Sequence, residues 1–404
     1  MLTDVLAGGV TLLASGLVAM TAYLLVLTLA AGWGARAHRP IPAADGRQRF
    51  AILIPAHNEE VLIGRLLDNL QQLDYPRDRY EVCVVADNCD DRTASLAREH
   101  GASVFERFSQ TERAKGFALR WLLEQLQALG RMYDAYIVLD ADSVVSANFL
   151  RSMEARLAAG SQVIQAHYSV LNASESKLAG LRAAALAAVH YLRPLGRLVL
   201  GLSCGLKGNG MCFAAPVIQR FGWDWYTLAE DVEFHLALVR SGVRVDFAPE
   251  ASVMADMPVT LRQAASQNDR WERGRLQLVR EHVPGLIVDG LRRRSLVSLD
   301  AAIEQVIPPL SVPFALGMLC LLAAVGLGSP VALALAGAGL VGQVVYLLAA
   351  LALVGAPRSA YVALSAAPNY IAWKLGVYAQ ALLGARTTQW VRTARAPSGG
   401  ASAR

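Results

Sequence analysis

Residues 9–33 (GVTLLASGLVAMTAYLLVLTLAAGW) carry no charged side chain over 25 positions. As a helix this stretch is roughly 37 Å long, enough to cross the ~30 Å hydrocarbon core of a bilayer. A cleaved signal would have a basic start and a shorter apolar run. Here the flank holds Asp4 and no Lys or Arg, so residues 1–35 are expected to be a retained anchor. Two more apolar runs, 305–327 and 329–355, are separated by Gly328-Ser329-Pro330. A turn glycine followed by a helix-starting proline predicts a hairpin of two spanning helices. A fourth run, 359–384, contains Pro368, Asn369 and Lys374, and Arg386, Arg392 and Arg395 follow it. It reads as a re-entrant or in-plane helix, with a fourth span as the alternative. Membrane and interfacial helices are thus expected over 305–390, and a disordered tail over 391–404, where Ala396–Arg404 is rich in Gly, Ser and Ala.

Flanking charge gives an orientation. Arg36, Arg39, Arg47 and Arg49 follow the first span, and Arg292, Arg293 and Arg294 precede the second. The positive-inside rule then places residues 34–304 in the cytoplasm of a cell whose inner (plasma) membrane carries the chain. The net charge of +5 resides largely in these flanks. It suits an anionic leaflet, and no basic-aromatic interleaving points to nucleic acid. At 54% hydrophobic and 18% charged, the chain of 404 residues is too apolar for an ordinary soluble enzyme. Five cysteines without a CxxC pair argue against a disulfide framework or a zinc site.

Between the anchors, short apolar runs alternate with helical periods. Phe50–Ile54, Tyr80–Ala86, Ala102–Glu106 and Tyr136–Leu139 read as buried strands, with helices at Glu59–Leu73, near Asp91–His100 and at Lys115–Leu129. This alternation predicts an α/β domain over 48–255 with a mostly parallel, Rossmann-like sheet. Ligands in such sheets bind beyond the carboxyl ends of the strands. Pro55-Ala56-His57-Asn58-Glu59, Asp87 and Asp140-Ala141-Asp142 all fall there. Leu178–Leu200 places Arg182, His190, Arg193 and Arg197 on one narrow helical arc, which predicts an amphipathic helix in the membrane plane. Over 256–304, interfacial helices are expected. Thr260–His282 is one of them, and it carries Gln267, Arg270 and Trp271 at i, i+3 and i+4, on one face.

Each acidic marker has an ordinary reading as a turn or helix-capping residue. In combination they indicate chemistry. Asp140 and Asp142, one residue apart at a strand end, suit a hard divalent cation that neutralises a diphosphate. Glu230-Asp231 opens a helix after Trp223, Trp225 and Tyr226. A carboxylate desolvated by such neighbours can act as a general base. Arg270 offers a planar donor set for phosphate, and Trp271 a surface on which a sugar can stack. His57 and His167 read as structural.

On Pro55–Glu59, Asp87–Asp91, Asp140–Asp142, Ala229–Asp231 and Gln267–Trp271, the chain resembles the membrane-bound inverting family 2 glycosyltransferases over roughly residues 50–275. That group contains cellulose, chitin, hyaluronan and poly-N-acetylglucosamine synthases, and ceramide and bacterial lipid glycosyltransferases. The resemblance implies a GT-A fold and a nucleotide-sugar donor, expected to be UDP-linked. It implies that Glu59, Asp87, Lys115 and Asp140 contact the nucleotide, and that Asp142 ligates Mg²⁺ or Mn²⁺. Asp231, beside Glu230, would be the base of an in-line displacement. Gln267, Arg270 and Trp271 would hold the diphosphate and floor the acceptor site. Ala229 stands where polysaccharide synthases usually have threonine, and three or four spans line little of a channel unless the chain forms homo-oligomers or borrows a partner. A lipid acceptor is therefore expected, a processive β-polysaccharide synthase is the alternative, and a non-catalytic nucleotide-sugar sensor is the alternative of another class.

Overall fold

A computed structural model describes residues 1–37 and 45–383. The expected tail over 391–404 lies outside the described residues, as does the end of the 305–390 region. The chain begins with a single long helix, α1 (Leu2–Ala37). The α/β part follows as β1 (Phe50–Ala56), α2 (Ile63–Gln71), β2 (Tyr80–Asp87), α3 (Thr93–Glu99), β3 (Ser103–Arg107), α4 (Lys115–Ala128) and β4 (Ala135–Val138). It continues through β5 (Ser143–Val145), α5 (Phe149–Ala158) and β6 (Val163–Val170) to α6 (Lys177–Leu186) and α7 (Arg193–Val199), which are joined by a π-helical stretch at Ala187–Leu192. Then come β7 (Met211–Ala214), α8 (Ala215–Phe221), α9 (Glu230–Arg240) and β8 (Val245–Ala255). The rest is helical: α10 (Leu261–Arg293), α11 (Leu296–Val306), α12 (Ser311–Gly326), α13 (Pro330–Leu353), α14 (Arg358–Ala363) and α15 (Ala367–Leu383).

The eight strands form one sheet in the order β3-β2-β1-β4-β7-β6-β8-β5. The first four pair in parallel, so β1, β2 and β4 all end on the same edge. Beyond β4 the sheet is mixed. β7 runs antiparallel to both β4 and β6, and β5 antiparallel to β8, while β6 and β8 are parallel. Both faces are covered: Leu66, Leu67 and Leu70 of α2 pack on one, Leu119, Leu122 and Leu126 of α4 on the other. Near-continuous apolar strands such as Tyr80–Ala86 follow from burial on two sides.

The expected helix from Glu59 starts later, at Ile63. Glu59 and Glu60 instead donate their N–H groups to Thr93 Oγ1 (2.8 Å) and Asp91 Oδ2 (3.1 Å), which ties the β1 and β2 ends together.

Among the described residues two helices, Leu2–Arg36 and Pro330–Leu353, are long and apolar enough to cross a membrane, and α11 with α12 makes a third candidate bent by 70°. The break falls inside the run 305–327, where a spanning helix is expected. Pro308-Pro309 is the cause: the first lacks an N–H and the second disfavours helical backbone before it. The Gly328-Ser329-Pro330 turn forms as expected, with Gly328 at φ 62° and Ser329 Oγ accepting from Ala332 N.

The arc on 178–200 differs from an amphipathic face turned to lipid head groups. Arg182, Arg193 and Arg197 are only 3%, 5% and 1% exposed. Arg197 donates to Asp300 Oδ2 (2.7 Å), Glu304 Oε2 (2.5 Å) and the Tyr23 hydroxyl (2.6 Å), and Arg193 donates to the Tyr346 hydroxyl (2.7 Å). Helices α1, α7, α11 and α13 are thus joined by one buried polar network. Its carboxylates lie about a hundred residues downstream, so the arc could not reveal which way its charges face. Removing one member of a buried ion pair leaves the other uncompensated. Arg197→Met is expected to lower stability by about 3–5 kcal/mol, read as a large drop in the thermal unfolding midpoint of detergent-solubilised protein.

Candidate active site

The ends of β1, β2 and β4 open onto one cavity of about 900 Å³. All ten residues singled out from the sequence line it: Glu59, Asp87, Lys115, Asp140, Asp142, Glu230, Asp231, Gln267, Arg270 and Trp271. At the sheet edge each acid is held in place. Asn58 and Asn88, directly after the strands, take positive φ of 55° and 52°, a conformation Asn tolerates better than most residues. Asp87 Oδ1 accepts from Arg107 Nη1 (2.8 Å), a buried pair that fixes the carboxylate. His57 Nδ1 lies 2.7 Å from the Asp87 carbonyl oxygen, the structural role expected of it, although its ring borders the cavity.

Lys115 Nζ donates to Asp140 Oδ1 and to the Gly208 carbonyl, both at 2.5 Å. The lysine expected to reach a nucleotide therefore also clamps the β4 end to the 203–210 loop. Burial disfavours the Lys115 charge, but Asp140, Glu230 and Asp231 outweigh it and raise the pKa. Gly116 has no room for a side chain, since a Cβ there would lie 1.9 Å from the Trp225 carbonyl oxygen. Asp142 is 6% exposed, and its carbonyl accepts from Arg65 Nη2, which also pairs with Asp256 at 2.8 Å.

Among the described residues no three His, Cys, Asp or Glu side chains cluster closely enough to cage a metal. That donor set fits Mg²⁺ or Mn²⁺ only as a shared ligand, with one or two carboxylates completed by phosphate oxygens and water.

Glu230 and Asp231 form the first turn of α9, as expected. Burial raises both carboxyl pKa values, and in Glu230 the Asp231 charge adds to the effect. The Val232 N–H, Lys115 and Lys207 oppose the rise at Asp231. Gly208, at φ 76°, packs so close that a Cβ would lie 3.4 Å from Asp231 Oδ2.

The loop carrying Gly208 was not recognised as a site element from the sequence. Its signal was Gly205, Gly208 and Gly210 in six residues, all with positive φ. Asn209 Oδ1 accepts from Asp140 N (3.1 Å), and Gln165 Nε2 donates to the Asn209 carbonyl (2.8 Å).

Gln267, Arg270 and Trp271 share the cavity face of α10. Arg182 supports this face from α6: its Nη2 donates to Gln267 Oε1 (2.7 Å), and its guanidinium carbon lies 5.3 Å from the Trp271 ring centroid. On the same helix Glu272 pairs with Lys374 of α15 at 3.0 Å, and Lys374 also donates to Asn268 Oδ1 (2.5 Å). The lysine in the fourth apolar run is thus paired with α10. The far end of the cavity runs past His190, Arg193 and Arg197 to Tyr346, Pro308 and Leu310, beside the apolar helices.

Residues 47–274 match the family described as glycosyltransferase like family 2. The chain is 28% identical over 236 residues to a beta-monoglucosyldiacylglycerol synthase of Synechocystis, covering 57% of this chain and 48% of that one. It is 26% identical over 240 residues to the probable glycosyltransferase YdaM of Bacillus subtilis, covering 57% and 56%. A poly-beta-1,6-N-acetyl-D-glucosamine synthase of Staphylococcus aureus matches at 24% over 253 residues, 58% and 57%. The chain spans about half the length of these curated relatives. Among solved structures, a mannosyltransferase of Pyrobaculum calidifontis bound to GDP-Man and Mn²⁺ aligns with a TM-score of 0.49 at 21% identity, covering 92% of this chain and 99% of that one. The parallel half-sheet, the acids at its edge and the match over more than half of the chain lead to one conclusion: this chain belongs to glycosyltransferase family 2, with a GT-A fold.

Proposed function

We propose that the chain transfers a sugar from a UDP-linked donor to a lipid acceptor in the inner membrane, with inversion at the anomeric carbon. The observation that carries this reading is the single cavity that joins the sheet-edge acids to the apolar helices through Asp231. Glu59, Asp87, Lys115 and Asp140 would hold the nucleotide and its ribose. Asp142 would hold Mg²⁺ or Mn²⁺, whose charge would offset the diphosphate when bound. Asp231 would take the proton of the acceptor hydroxyl. The freed oxygen would then attack the anomeric carbon opposite the diphosphate, and the bond to the phosphate oxygen would break. Gln267 and Arg270 would steady the departing diphosphate, with Trp271 beneath the acceptor. The cytoplasmic placement of residues 34–304 would give access to soluble donors and let the acceptor enter from the inner leaflet.

Purified protein with Mg²⁺ and a panel of UDP-sugars should release UDP only when membrane lipid extract is added. No release with any donor would favour a non-catalytic sensor, and release yielding a ladder of long glycans would favour the processive synthase. Trp271→Ala is expected to raise the acceptor KM about tenfold, in line with the loss of one aromatic contact in a site, while the UDP dissociation constant stays within about twofold. An unchanged acceptor KM would remove Trp271 from that role.

A further inference from the structure

Residues 140–143 form a tight turn, closed by the Ser143 N–H donating to the Asp140 carbonyl at 3.1 Å, with Asp142 at its third position. A turn this short makes few backbone bonds of its own, so its shape depends on what grips it from outside. One side chain grips both ends. Asn209 Oδ1 accepts from the Asp140 N–H (3.1 Å), and Asn209 Nδ2 donates to Ser143 Oγ (2.8 Å). The amide has one orientation here, because a backbone N–H needs an acceptor. Asn209 and Ser143 are fully buried, so water does not compete for these bonds. Leucine at 209 would leave the Asp140 N–H unpaired, and aspartate would add a buried anion beside two carboxylates.

Asn209 is itself held by its surroundings. Gly208 and Gly210 flank it with positive φ of 76° and 68°, and a Cβ on Gly210 would lie 2.5 Å from Val253 Cγ1. The loop can pass this close to the sheet because the neighbours of Asn209 carry no side chain. Behind the loop stands Gln165 of β6, also fully buried. Its Oε1 accepts from the Lys207 N–H (2.9 Å) and its Nε2 donates to the Asn209 carbonyl (2.8 Å), which splints the loop on either side of Gly208. Beyond the turn, Asn69 of α2 pins β5, accepting from Val145 N (2.7 Å) and donating to the Val145 carbonyl (3.1 Å). Arg65 and Asn69 each hold one residue of this segment, whereas Asn209 spans the two ends of the turn.

We propose that Asn209 is a positioning residue for the metal-binding carboxylate: by closing the Asp140–Ser143 turn from behind, it sets the direction of Asp142. The proposal rests on the reading of Asp142 as the Mg²⁺ or Mn²⁺ ligand. A cation held by one or two carboxylates has little protein to correct a misdirected one. Groups that orient a metal ligand without touching the metal are accordingly worth about 10–100-fold in metal affinity.

The test is calorimetric titration of the full chain in detergent micelles with UDP, in Mn²⁺ and in EDTA. The ratio of the two affinities is the gain that the metal confers. Asn209→Ala should lose most of that gain, on the order of tenfold. Its affinity in EDTA should stay within about twofold of wild type, because Glu59 and Asp87 stand at the ends of other strands. A merely structural defect would instead lower the binding stoichiometry and weaken UDP equally in both conditions. Ser143→Ala cuts one of the two arms and should lose part of the gain; it decides the matter if Asn209→Ala does not fold. In an Asp142→Ala background, Asn209→Ala should change UDP affinity in Mn²⁺ by no more than about twofold, since its effect passes through Asp142. An undiminished gain in folded Asn209→Ala would overturn the positioning role and leave the ligand reading standing. So would a further loss in the Asp142→Ala background, because Asn209 would then act on the nucleotide pocket. A gain undiminished in Asp142→Ala alone would overturn the ligand reading, and the proposal with it.

Discussion

Asp231→Asn is expected to reduce sugar transfer by about 10²–10⁴-fold, the range typical for removing a positioned general base. The amide keeps the shape of the side chain but cannot take the acceptor proton. Because the edge residues Asp87, Lys115 and Asp140 are untouched, UDP should still bind with its wild-type affinity. The pH profile gives an independent sign. Burial raises the Asp231 carboxyl pKa above the ordinary aspartate range. A base works deprotonated, so wild-type kcat/KM should rise as pH climbs through that raised value and fall below it. The residual rate of the asparagine variant should lack that acidic limb. Turnover retained at the wild-type level would remove Asp231 from the role and turn attention to Glu230, its neighbour in the first turn of α9.

Asp142→Ala should abolish the gain in UDP affinity that Mg²⁺ or Mn²⁺ confers. Asp140 is engaged by Lys115 at 2.5 Å, which leaves Asp142 as the carboxylate of the pair not claimed by that lysine. With so few protein ligands, the cation would depend on the diphosphate for the remainder of its shell. Calorimetric titration of UDP with and without metal measures this directly. The variant should bind equally weakly in both conditions, at the level of the wild type in EDTA. Undiminished metal-dependent affinity in the variant would exclude Asp142 as the ligand.

The acidic sheet edge was legible because buried parallel strands write themselves as unbroken apolar runs. Phe50–Ile54, Tyr80–Ala86 and Tyr136–Leu139 each point to a carboxyl end, and the acids stand at those ends. The antiparallel half was not legible. β7 is four residues, Met211–Ala214, too short for a period to register, and its pairing with β4 depends on residues some seventy positions apart. Side-chain direction on the 178–200 helix escaped for a related reason: helical spacing shows that Arg182, Arg193 and Arg197 share an arc, but only the distant Asp300, Glu304 and Gln267 decide that the arc faces inward. The bend before α12 was written in Pro308-Pro309, and hydropathy alone concealed it. Ala229 keeps its interest: Gly274 on α10 sits so near that a Cβ there would lie 3.1 Å from the Ala229 Cβ, so the small residue at 229 faces a close helix approach.

The most direct test of the account is mass analysis of the lipid products formed from radiolabelled UDP-sugars, membrane lipid extract and the purified full chain with Mg²⁺. The account predicts a single hexose or N-acetylhexosamine added to a lipid, lost in Asp231→Asn. A labelled polymer, or no lipid product with any donor while UDP still binds, would contradict it.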